Sequence, residues 1–188
     1  MTPVSFAQLW IPILLSAVCV FLASSLIHMV VKWHASDYRA LPNEDEVRAA
    51  IRKGTPPPGQ YVLPHCSDMK AMGKPDMQQK YKDGPVGFLV INPSGVPAMG
   101  AALGKWFVFT VLVAFTAAYL ASRTLVPGTH YLQVFRVVGA VSFLAYGFGS
   151  IPLGIWMGKP WSSVIKDLAD ALIYGLLSAG IFGWLWPR

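Results

Sequence analysis

Four side chains able to carry charge lie within or at the ends of stretches otherwise built from apolar residues: His28, Arg136, Asp167 and Asp170. Ionisable groups in such surroundings are costly, and where they persist they pair, relay protons or hold ions. Asp167 and Asp170 are three residues apart, which puts them on neighbouring positions of one helix face, and His28 and Lys32 are related in the same way four residues apart. With Lys105 at a similar depth, the residues His28, Lys32, Lys105, Asp167 and Asp170 form a candidate intramembrane polar cluster. Its functional meaning would be a proton or cation relay, since imidazole is the side chain that changes charge near neutrality. Its structural meaning is simpler. Two acids complement the positive N-terminal end of a helix, and the remaining groups make interfacial ion pairs. Structural pairing is the commoner reason for such groups and is preferred here. Arg136 lies near the opposite end of its span, so straight antiparallel helices would keep it away from Asp170.

A second group combines His65, Cys66, Met69 and Met72, with Met77 beyond. Imidazole, thiolate and thioether together suit a soft metal such as Cu(I). The spacing fits no zinc pattern. Met69 and Met72 at i,i+3 also read as the apolar face of a short helix, which is the more frequent origin of that spacing. A third group, His34, Asp37 and Tyr38, forms a polar patch just outside the first apolar stretch. It fits contact with lipid headgroups, although aromatic and charged residues gather at that depth in any case. No GxSxG, HExxH, CxxC or phosphate-cradling glycine loop is found. The chain is therefore expected not to be an enzyme and to need no cofactor.

The elements that position these groups follow from hydropathy. Of 188 residues, 54% are hydrophobic and only 13% charged, against about 25% charged in an average soluble domain. Seven of the nine acids fall between Asp37 and Asp83, and no Asp, Glu, Lys or Arg precedes Lys32. A bilayer crossing needs about 20 mostly apolar residues. Residues 7–31, 104–122, 132–155 and 168–186 qualify. The expected fold is an all-α membrane protein: a four-helix transmembrane bundle with a ~70-residue polar loop between helices 1 and 2. The division is 1–31 for the first transmembrane helix, 32–103 for the polar loop and 104–188 for helices 2–4. Residues 1–6 carry no Lys or Arg, unlike the n-region of a secretory signal, so the first span is expected to be retained.

All seven tryptophans lie near the ends of these spans, where interfacial residues belong. Pro152 predicts a kink in the third span, and Pro12 a similar one in the first. Ala171, Gly175, Ala179 and Gly183 recur every four residues, as do Ala114, Ala118 and Ser122; such stripes let helix backbones approach closely.

Within the loop, Asn43–Gly54 reads as a helix with Asn43 and Glu46 as a capping box and Gly54 as the stop. Pro75 opens a second helix to Lys82. Residues 60–63 and 86–91 read as extended, making a small β-hairpin.

The formal charge of +6 is spread over the loop and the span ends, with no basic run or stripe, so nucleic acid is not an expected partner. Lys32, Arg39, Lys105, Lys159 and Lys166 flank the loop-bearing face, against Arg123, Arg136 and Arg188 opposite, which places the long loop in the cytoplasm and the protein in a plasma (inner) membrane. The expected partners are the lipid bilayer and either further copies of the chain or another membrane protein. The expected function is that of a structural or accessory subunit acting through its helix faces and loop. The alternatives are a small oligomeric ion, proton or solute carrier using His28, Asp167 and Asp170, and soft-metal binding by the His65/Cys66/Met69/Met72 loop.

Overall fold

The computed structural model describes residues 4–188. It is 69% helical, with one two-stranded sheet and three helices long and apolar enough to cross a membrane: Trp10–Val31, Met99–Thr124 and Tyr131–Trp156. The chain divides into two compact units, one made of residues up to Tyr38 together with Ala98–Arg188, the other of Arg39–Pro97. The start of the polar segment, Lys32–Tyr38, therefore folds with the long helices and not with the loop.

The first long helix comprises α1 (Trp10–Leu26) followed without a break by a π-helical turn over Ile27–Val31. Pro12 sits in the first turn of α1, where its missing N–H has no helical partner to lose, and it does not interrupt the helix. In the π turn the Lys32 N–H donates to the Ile27 carbonyl at 2.8 Å, an i→i−5 bond that widens the helix. Lys32 then takes left-handed φ of 55°, and Trp33–Asp37 form a 3-10 turn.

In the other unit, α2 (Glu44–Gly54) begins after Asn43, but the Asn43 side chain caps no backbone N–H and instead donates to Glu46 Oε2 at 3.3 Å. Gly54 is the last helical residue, and Thr55, with φ of 45°, takes the left-handed position expected of a glycine. Strand β1 (Gly59–Leu63) pairs antiparallel with β2 (Gly87–Ile91), in register from Gly59 opposite Ile91 to Leu63 opposite Gly87. Two short helices, α3 (Met69–Met72) and α4 (Pro75–Asp83), lie between the strands, so the pair is not a tight hairpin. Asp68 caps α3 by accepting from the Ala71 N–H at 2.7 Å.

The second long helix is α5 (Met99–Thr124). The third consists of α6 (Tyr131–Gly147) and α7 (Ser150–Trp156), interrupted at Phe148–Gly149. The break lies one turn before the kink expected at Pro152. Proline has no N–H to donate to the carbonyl four residues back, and its ring crowds that group. That carbonyl belongs to Phe148, and it accepts from Ile151 N–H at 3.2 Å instead. Pro152 itself rests in the first turn of α7.

The last helix, α8 (Trp161–Trp184), starts seven residues before the apolar stretch that announced it. It carries Lys166, Asp167 and Asp170 in its first half. Asp167 and Asp170 thus lie beyond the first turn, where the helix dipole fades. The expectation that they cap the helix is corrected: Pro160 occupies the N-cap, and both acids have side-chain partners.

Helix α1 packs against α5 and α8, and α6 against α5 and α8. Leu9, Ile13, Ala117, Val134, Val138 and Phe182 are fully buried between them. Both small-residue stripes are used here. Ala114, Ala118 and Ser122 are buried in α5. On α8, the stripe lies along α6: a Cβ on Gly175 would stand 3.2 Å from the Gly139 carbonyl oxygen, and one on Gly147 would stand 2.8 Å from Ala171 Cβ. Such contact lets dispersion and close backbone packing hold the helices together without a large apolar core.

Candidate functional site

The π turn and the left-handed Lys32 carry the chain back over α8, so that the 3-10 turn Trp33–Asp37 touches its N-terminal half. Lys166 fastens it there. Its Nζ donates to the Trp33 carbonyl at 2.7 Å, to Ser36 Oγ at 2.8 Å and to Asp37 Oδ1 at 2.6 Å. The Lys166 ammonium holds the Asp37 carboxyl down to about 2, with further help from the His34 hydrogen bond and against the opposing effect of burial. Asp37 is therefore an acceptor only.

His34 stands between two carboxylates. Its Nδ1 is 2.8 Å from Asp37 Oδ2 and its Nε2 is 3.1 Å from Asp170 Oδ2. Its ring stacks on His28, centroids 4.8 Å apart and planes within 4°. His28 Nδ1 lies 2.9 Å from the Ser24 carbonyl oxygen, which can only accept, so that nitrogen bears the proton. His28 Nε2 is thereby left facing Asp170 Oδ2 at 4.0 Å. The Tyr174 hydroxyl, one turn further along α8, completes the surroundings at 3.4 Å.

Asp170 is 5% exposed, and its second oxygen, Oδ1, is buried with no hydrogen-bond partner. An unmet buried acceptor costs about 1–3 kcal/mol, and more when it is charged. The His28 ring, in contrast, is half exposed and faces an open cleft of about 410 Å³, which is also lined by His34, Asp37, Lys159, Ser163 and Asp167.

Of the five residues expected to cluster, the structure brings His28 and Asp170 together. Asp167 diverges to Lys159 and Ser150, with which it forms an ion pair and a hydrogen bond. Lys32 and Lys105 are exposed, and neither lies within ion-pairing distance of a carboxylate among the described residues. Arg136, also exposed, makes no pair with Asp170.

His34 and Asp37, read from sequence as a separate headgroup patch, are central to the arrangement. The available signal was a histidine and an aspartate three residues apart immediately after a span, six residues from another histidine. In the loop, His65 and Met69 are exposed, and the Cys66 thiol donates to the Asp68 carbonyl at 3.0 Å.

Two tryptophans expected at the interface are tied into the interior near this site. Trp106 Nε1 donates to Ser24 Oγ at 2.8 Å, on the residue whose carbonyl orients His28. Trp33 Nε1 is buried. Chemically, the site gathers two imidazoles and one carboxylate with their lone pairs converging, a donor set for a proton or a metal ion. The chain matches no protein family model, no curated protein and no solved structure.

Proposed function

We propose that this chain is a multi-pass membrane protein whose working element is a cation-binding centre at one mouth of its helices, made by His28, His34 and Asp170. One observation carries this. Asp170 Oδ2 faces the Nε2 atoms of two histidines, at 3.1 Å and 4.0 Å, whose Nδ1 atoms are each engaged with an acceptor. Two neutral rings in that state would aim lone pairs at a carboxylate. The arrangement becomes favourable when a proton or a metal ion sits among them.

The helix α8 serves as a fourth span. Its 24 residues give a length of about 36 Å, enough for a hydrocarbon core of about 30 Å. Its charges lie toward the end where His28 and the polar segment meet the membrane. The excess of lysine there supports a cytoplasmic centre and loop in a plasma membrane.

Action at one face fits better than transport across the bilayer, because the space between the helices is filled by Leu9, Ile13, Ala117, Val138 and Phe182. An accessory subunit docking through its small-residue stripes is disfavoured, since those stripes pack within the chain. Self-association or a membrane partner would have to use the large apolar residues that face outward, such as Ile11 and Leu22.

Nitrogen-15 NMR of histidine-labelled full-length protein in detergent tests the proposal. His34 is expected to show the shifts of a doubly protonated or metal-bound ring. A neutral, unligated His34 at neutral pH would overturn it.

A further inference from the structure

The geometry points to the cation being a first-row transition metal ion, held by His28 Nε2, His34 Nε2 and an Asp170 carboxylate oxygen; this inference rests on the cation centre proposed above and specifies its ligand. The three donor atoms lie within 4.8 Å of one another. A tetrahedral zinc ion, at about 2.0–2.1 Å from each donor, would set their separations near ~3.4 Å. The His34–Asp170 separation of 3.1 Å already suits this. His28 would have to close in by roughly an ångström, which its half-exposed ring at the start of the π turn permits.

Three further features belong to metal sites. A histidine that binds metal through one nitrogen characteristically donates its other N–H to a carboxylate or a backbone carbonyl, which fixes both tautomer and ring orientation. Both histidines do so: His34 through Asp37 at 2.8 Å, and His28 through the Ser24 carbonyl at 2.9 Å. Asp37 is in turn fixed by Lys166 at 2.6 Å. Second, Asp170 Oδ1 is buried and unpartnered, and a metal ion bound through Oδ1, alone or together with Oδ2, would resolve that deficit. Third, His28 and His34 line an open cleft, so a set of three protein ligands would leave a coordination position there for water or a substrate, as in catalytic and not structural zinc sites.

Two imidazoles and one carboxylate select borderline ions such as Zn²⁺, Co²⁺, Ni²⁺ or Fe²⁺ over Ca²⁺ and Mg²⁺, which prefer all-oxygen sites. This is a different donor set from the sulfur-rich His65/Cys66/Met69/Met72 loop.

The test uses the full chain, purified in detergent, stripped with a chelator and titrated with Co²⁺ and Zn²⁺. The visible spectrum of the Co²⁺ form should be that of a low-coordinate nitrogen–oxygen site with a single ion per chain. X-ray absorption of the Zn²⁺ form should show two imidazoles and no sulfur. Asp37→Asn should weaken affinity about 10–100-fold while leaving the spectrum in place. His34→Ala should abolish the site, and His65→Ala with Cys66→Ser should leave it intact.

A sulfur-containing shell, or unchanged binding in His34→Ala, overturns the inference. So does absence of binding by the unmodified protein, a result that needs no variant to fold. If no metal binds while His34 is doubly protonated by NMR, the metal assignment fails and the cation centre stands. If His34 is neutral and unligated, both fail.

Discussion

Asp170 Oδ2 lies 3.1 Å from the Nε2 of His34, although 136 residues of chain separate them. The contact joins the polar segment after the first long helix to the middle of the last one, and it is nearly closed to solvent on both sides, with side-chain exposures of 14% and 7%. Removing one partner of a buried polar pair leaves the other unmet, at about 1–3 kcal/mol and more where it is charged. His34→Ala should therefore destabilise the protein strongly. Adding Asp170→Asn should restore part of the loss, because an unpaired amide costs less to bury than an unpaired carboxylate. Chemical denaturation in detergent of both single variants and the double variant measures the coupling; strictly additive losses would refute it.

Lys166 in α8 and Lys159 in the turn before it should differ in importance. Lys166 joins three acceptors on the 3-10 turn, and its partner Asp37 is 9% exposed. Lys159 pairs with Asp167 where both side chains are a quarter or more exposed. Exposed pairs contribute at most about 1 kcal/mol. Lys159→Met should change stability little. Lys166→Met should release the 3-10 turn, read as faster hydrogen exchange at Trp33–Asp37.

The contact between α6 and α8 makes a graded prediction. An alanine at Gly147 would put its Cβ 2.8 Å from Ala171 Cβ, an atom fixed to a helix backbone, whereas an alanine at Gly183 would meet only the ring of Tyr131, which is 41% exposed and can swing away. Overpacking of a fixed contact costs about 1–3 kcal/mol. Gly147→Ala is expected to lower thermal stability in detergent clearly more than Gly183→Ala, and equal effects would show that the helices are not this close.

Orientation can be read from the two free cysteines, Cys19 in α1 and Cys66 in the loop. A membrane-impermeant maleimide should leave Cys66 unlabelled in intact cells and label it in inverted vesicles. Cys66→Ser should lose the signal, because Cys19 lies within the apolar helix. Labelling in intact cells would place the loop on the outer face.

Much of the architecture was legible from local chemistry. Runs of apolar residues announced the long helices because the bilayer demands about 20 of them in succession. In the loop, Gly54 marked the end of α2 to within a residue, and Pro75 marked the start of α4, because these residues act on the backbone within one turn. The small-residue periods of α5 and α8 were visible too, but not that α8 applies its stripe to α6 of the same chain. Periodicity tells which face packs and is silent on what it packs against.

The centre itself was only half legible. His28 and Asp170 stood out because charge in an apolar stretch is costly wherever it points. His34 and Asp37 did not, since at a membrane boundary polar residues are ordinary. What recruits them is the added residue of the π turn and the left-handed Lys32, a change of backbone path that leaves no mark on hydropathy. By itself the sequence determined the apolar helices, the polar segment between them and the cost of burying Asp170, all properties of neighbouring residues. Only the tertiary structure decided that His34 turns back to meet Asp170 while Asp167 turns away, because long-range packing sets the direction in which each side of a helix faces.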